Sequence, residues 1–156
     1  MPTLSNLDKE IWKYSNINTA LKKLEVTPRD CAWHMPTAFT FLEGDHHLVI
    51  SKNRKVDHPL EINLVAQAGS QISAPLHIHL ESGAEAVVIE HQSGDGSYWK
   101  DTNLVITLAE NAQLRHYRIQ ADDPLSVVTD HTSVVLSHDA RYHMVAVNGA
   151  AGFARS

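Results

Sequence analysis

Leu76-His77-Ile78-His79-Leu80, followed four positions later by Ala84, recurs twice in this chain at one fixed spacing. Leu104-Val105-Ile106-Thr107-Leu108 leads to Ala112 in the same way, and Thr132-Ser133-Val134-Val135-Leu136 leads to Ala140. Leu80, Leu108 and Leu136 advance by one constant step (108 − 80 = 136 − 108 = 28), and so do the three alanines. Each copy alternates apolar and other residues, breaks in a short polar turn, then resumes as a second β-rich run. Such alternation sorts side chains onto the two faces of a strand. A period of this length marks a solenoid, in which residues in register stack from rung to rung. The repeat predicts an all-β fold, a parallel β-helix, preceded by a short N-terminal helical segment. Leu80, Leu108 and Leu136 should then form one buried column, with about 4.8 Å between rungs.

Leu60-Glu61-Ile62-Asn63-Leu64, with Ala68 four further on, reads as a fourth copy set back by a shorter step (80 − 64 = 16). On that reading the later rungs carry insertions equal to the difference between the two steps (28 − 16 = 12). These would fall near Ser93-Gly94-Asp95-Gly96-Ser97 and Ala121-Asp122-Asp123-Pro124. Gly, Asp, Ser and Pro are residues of turns and loops. Upstream, residues 1–37 read as an N-terminal helical segment. Ser15 or Asn16 caps it, Ile17, Leu21 and Leu24 recur at helical spacing, and Lys22 and Lys23 face outward. Thr27-Pro28 should end it, because the residue before proline avoids helical backbone. Residues 38–156 read as a β-hairpin leading into the β-helix core. Phe39–Leu42 and His47–Ile50 flank Glu43-Gly44-Asp45-His46, and the rungs run to Val147, where a glycine- and alanine-rich stretch ends the pattern.

The composition, 43% hydrophobic and 20% charged over 156 residues, fits one folded domain. A net charge of −5 argues against nucleic acid, which wants a clustered basic surface. Lys52, Arg54 and Lys55 do cluster, and read as a solvated turn. No apolar run reaches about 18 residues and no signal-peptide pattern opens the chain, so no membrane is expected and the cytosol is the expected compartment. The single cysteine, Cys31, excludes an intramolecular disulfide.

His77 and His79 share one strand face, with Glu81 and Glu85 behind them, and are the best metal candidates. They suggest a cupin-like metal-binding protein or enzyme, but no second motif supplies the remaining ligands. In the register of the repeat His77 stacks on Val105 and Ser133, and His79 on Thr107 and Val135, so neither column offers another donor. The same register puts His91 with Ile119 and Val147, His116 with Val88 and Met144, and His143 with Val87 and Arg115. No metal and no cofactor are expected. Glu90 falls over Arg118, which reads as an exposed cross-rung ion pair contributing about 0–1 kcal/mol. Trp12, Lys13 and Tyr14 are a candidate partner-binding element, with aromatics flanking a cation; the plainer reading has the aromatics pin the helix. Tyr142, Met144, Val145 and Val147 form an apolar, β-prone edge that suits a partner strand. Ser82, Ser133 and Ser137 lack a glycine elbow or an arranged His–Asp pair, and there is no phosphate-binding glycine loop.

Several segments together are similar to the SufB/SufD family of iron–sulfur cluster assembly proteins. They are Leu80 to His91, Asn111-Ala112-Gln113-Leu114-Arg115-His116-Tyr117, and Asn148 to Arg155. Trp12-Lys13-Tyr14-Ser15 and Phe41-Leu42-Glu43-Gly44-Asp45 resemble the family's N-terminal signature and hairpin. The resemblance implies a right-handed parallel β-helix in a cytosolic scaffold whose partners are SufB-like and SufC-like proteins; the apolar edge leaves a homodimer open as well. Family members are more than twice as long, with further rungs and a C-terminal helical domain that docks the ATPase. Neither is found in these residues, and no family ligand maps onto Cys31. The expected function is a non-catalytic, SufD-like scaffold subunit, not an enzyme. A small oligomeric β-helix binding module is the second alternative to the cupin-like reading.

Overall fold

The computed structural model describes residues 17–30, 33–35, 46–149 and 153–155. The alternation at Leu76–Leu80 runs the length of its strand, β4 (Ser70–Leu80): Ile72, Ala74, Leu76, Ile78 and Leu80 are buried, and the intervening side chains face out. It pairs in parallel with β6 (Trp99–Leu108), and β6 with β8 (Val127–Leu136), matching Leu80 to Leu108 to Leu136. The second run of each period builds a second parallel sheet from β3 (Leu60–Ala66), β5 (Glu85–Gly94), β7 (Gln113–Ala121) and β9 (Arg141–Asn148). Leu60 pairs with Val88, Val88 with His116 and His116 with Met144, again at the period of the repeat. The chain passes alternately through two parallel sheets. That is a parallel β-helix.

The alanine anchors follow from the corner between the sheets. Gly83, Asn111 and Asp139 occupy the same place in successive rungs, with φ of 69°, 59° and 55°. Glycine, asparagine and aspartate are the residues that enter this left-handed region at least cost. Each is followed by an alanine turned inward, and Ala84 and Ala112 are fully buried.

Three further strands complete the first sheet. The short strands β1 (Thr27–Pro28) and β2 (His46–Ile50) both pair in parallel with β4, and β10 (Phe153–Arg155) pairs with β8. Helix α1 spans only Ile17–Leu21. Leu21 and Leu24 pack with Trp99 and Val127, covering part of that sheet's outer face. At the start of the coil, buried Trp33 joins the core and donates its indole N–H to the Ala74 carbonyl at 3.2 Å.

Several expectations change. Leu60–Leu64 is not a short rung in the Leu80 column; it lies in the opposite sheet, where the same period holds. The Gly/Asp/Ser segments are therefore turns of a uniform rung, not insertions. Leu80 and Leu108 are 0% exposed, but Leu136 is 49% exposed, because β10 covers only Val127–Thr129 of its strand. The repeat also extends past Val147, to β10. Thr27-Pro28 forms a strand where a helix end was expected, since the helix stops at Leu21. The hairpin's second arm pairs in parallel with β4. Its first arm, with Trp12, Lys13, Tyr14 and Cys31, lies outside the described residues. Among the described residues no helix is long and apolar enough to cross a membrane.

Candidate functional site beneath the open rim

The inward columns change chemistry as they climb. Ile62 is followed by Glu90 and Arg118, Leu64 by Gln92 and Gln120, and Leu60 by Val88 and His116. In the facing sheet Ala74 is followed by Thr102 and Asp130. All of these are buried, so a coil that begins with an aliphatic core holds a polar one in its upper rungs.

The polar groups satisfy one another. Glu90 Oε2 accepts from His116 Nε2 at 2.6 Å and from Arg118 Nε at 3.0 Å, and Gln92 donates to the other carboxylate oxygen. Arg118 Nη2 crosses to Thr132 Oγ1 at 3.1 Å. Gln120 Nε2 donates to Gln92 at 3.3 Å and to Asp130 at 2.5 Å, and Asp130 also accepts from Thr102. Because a carboxylate only accepts, His116 must carry a proton on Nε2. The other ring nitrogen, Nδ1, lies 3.0 Å from the Tyr142 hydroxyl. Among the described residues no buried side-chain nitrogen or oxygen lacks a partner.

Burial alone would raise the Glu90 carboxyl. The hydrogen bond from His116 and the nearby Arg118 and His116 charges overcome it, so the group stays below its ordinary value. Tyr142, half-buried at the rim, is pushed up to about 12 by burial and by Glu90 against the opposing pull of Arg118. The expected exposed Glu90–Arg118 pair is in register but enclosed, because both residues fall on the inward parity of their strands. Such a pair gains little over an apolar core, yet removing one partner costs about 3–5 kcal/mol. A second buried cluster sits at the next turn. There Asp122 Oδ1 accepts from Lys100 Nζ at 2.7 Å and from the Tyr98 hydroxyl at 2.5 Å. Tyr98 lies against Gly94, where an added Cβ would meet its ring at 2.6 Å.

Arg118, Gln120 and Asp130 also line a cavity of about 320 Å3 that opens between β8 and β9, with Thr132 and Met144 at its wall. This mouth is the rim. Met144 lines it, half-buried; Tyr142, also half-buried, lies against His116, while Val145 and Val147 face outward, 41% and 60% exposed. Among the described residues β9 ends its sheet.

His77 and His79 lie on the outer face, as alternation required, in the register columns expected for them. Sequence reasoning misses their neighbour. β2 puts His47 in register with His77, ring centroids 5.1 Å apart, and His79, two residues along the same strand, lies 6.2 Å from His77. Burial first, then His47 and His79, lower the affinity of His77 for a proton. Among the described residues no group of three or more His, Cys, Asp or Glu is arranged to hold a metal. The histidines at 91, 116 and 143 keep their expected partners.

Residues 63–156 match the family model for the SUF system FeS cluster assembly, SufBD core domain. Over 101 residues the chain is 30% identical to the iron–sulfur cluster assembly protein SufD of Escherichia coli (strain K12). The aligned part is 60% of this chain and 24% of that relative, so the chain spans about a quarter of the relative's length. No solved structure matches the chain.

Proposed function

The chain belongs to the SufBD core-domain family, and from that premise we propose that it takes part in iron–sulfur cluster assembly as a non-catalytic scaffold subunit. It acts through protein–protein contacts at the rim of its coil, in the cytosol, with residues 1–37 an appendage to the core at 38–156. The observation that carries the reading is β9. It closes its sheet among the described residues and presents Tyr142, Met144, Val145 and Val147, with Met144 at the wall of the cavity between β8 and β9. A strand edge of this kind is a template for another strand. Partners are a SufB-like and a SufC-like protein, or a second copy of this chain.

The polar core supports a structural role. Burial pushes the Tyr142 hydroxyl up to about 12, which keeps it a neutral hydrogen-bonding group near neutral pH. The Glu90 carboxylate is occupied by three donors.

Co-expression of the tagged chain with the SufB-like and SufC-like proteins of its own organism tests the reading. A stoichiometric complex with the SufB-like protein that is lost in Met144→Lys/Val145→Lys is the expected result. If neither protein co-purifies and the double variant changes nothing, the scaffold reading fails.

A further inference from the structure

The strand starts of the second sheet stack into a groove of about 390 Å3 running along the coil, lined by Lys55, Glu85, Gln113, Arg115, Arg141 and His143. Ala86 and Leu114, whose side chains turn into the core, contribute to it from the strands beneath. Register fixes the order of charges. Lys55 and Glu85 neutralise each other at the lower end, 2.8 Å apart. Higher up, His143 lies directly beside Arg115, and Arg141 lies beside Gln113, two positions along from Arg115. That diagonal separates the two arginine Cα atoms by about 8 Å, within reach of long side chains.

Arg115 and Arg141 are exposed, and among the described residues neither guanidinium has an ion-pair or side-chain hydrogen-bond partner. Adjacent cations on neighbouring strands repel, so this arrangement is unfavourable by itself. It is also at odds with a chain of net charge −5. A bound anion removes the repulsion. Guanidinium forks match phosphate and carboxylate oxygens two at a time, and a groove of this volume suits a small molecule.

We propose that this groove binds a small, multiply charged oxyanion, an organic phosphate or polycarboxylate, with Arg115 and Arg141 as its clamp. The site faces outward from the sheet, and its upper side is formed by Arg141 and His143 of β9. The two arginines hold the ligand's charge, with Gln113 and His143 beside them.

Pyrophosphate and citrate, titrated separately into the isotope-labelled chain at fixed ionic strength, test this and separate the phosphoryl from the carboxylate source. At least one should give saturable amide shifts confined to residues 85–87, 113–115 and 141–143. R115Q/R141Q should weaken that binding about tenfold or more, as expected when charge-assisted bidentate contacts are lost. K22Q/K23Q, an equal loss of charge elsewhere on the surface, should leave it unchanged. Shifts that fail to saturate with either anion, that spread over the whole surface, or that survive in R115Q/R141Q overturn the proposal.

Discussion

The lower and upper rungs share one backbone and differ in what they enclose. Around Ile62, Leu64, Ile72, Leu76 and Leu48 the interior is aliphatic and fully or nearly fully buried. One and two rungs higher the Ile62 and Leu64 columns hold Glu90, Gln92, Arg118 and Gln120, and the Ala74 column reaches Asp130, all equally enclosed, while the Leu48 and Leu76 columns stay aliphatic through Ile106 and Leu104. The repeat therefore fixes the path of the chain without fixing the chemistry inside it. An apolar column tolerates imperfect neighbours. A buried polar column holds only if every donor meets an acceptor, which makes it stiffer in its demands and more costly to damage.

The sharpest break in that comparison is Glu90→Ala with Arg118 intact. It leaves a buried guanidinium facing a lost carboxylate and should cost about 3–5 kcal/mol. Glu90→Leu combined with Arg118→Met should recover most of the loss, because a well-packed apolar pair suits the same space. Urea unfolding at constant m-value measures both. If Glu90→Ala costs no more than a surface change, the network is not closed as described.

In the aliphatic region Leu108→Ala should cost about 2–5 kcal/mol, the range for a fully enclosed leucine. Leu136→Ala, in the same column but 49% exposed, should stay within about 1 kcal/mol. Equal losses at the two positions would mean that the upper end of the column is covered in solution.

Acid should act on the polar rungs first. The Glu90 carboxyl lies below its ordinary value of 4.5 in the folded state, so the unfolded chain binds the proton more readily. Its contribution is present above about pH 4.5 and is lost as pH falls through the folded value. Once the loss from the substitution itself is allowed for, Glu90→Gln should flatten this acid limb. An unchanged slope would place the sensitivity elsewhere. The smallest effect is at the rim, where Tyr142→Phe removes one half-buried hydrogen bond and should cost about 0.5–1.5 kcal/mol in the same unfolding assay.

How far the sequence foretells this arrangement follows from the register. The Leu80–Leu108 contact is legible because period and alternation agree there. Leu60–Leu64 is harder to place because both sheets alternate alike; aligning Leu60 with Val88, one full period on, gives its true partner. The buried core of Glu90, His116 and Arg118 is also within reach, since inward parity counted from Ala86 and Leu114 lands on all three. Reading charge as a sign of exposure hides it, and parity is the better guide. His47 beside His77 is less accessible, because their spacing (77 − 47 = 30) departs from the repeat. β10 escapes for a similar reason, meeting β8 at a spacing shorter than the period (153 − 127 = 26).

Light scattering across a concentration series tests the scaffold account most directly, because it asks whether the rim at β9 is an interface. The account predicts that the chain self-associates as concentration rises, or joins its SufB-like partner at once when mixed with it. Met144→Lys/Val145→Lys, folded by circular dichroism, should abolish both. A chain that stays monomeric at every concentration and ignores that partner, with the β9 amides exchanging freely, would contradict it.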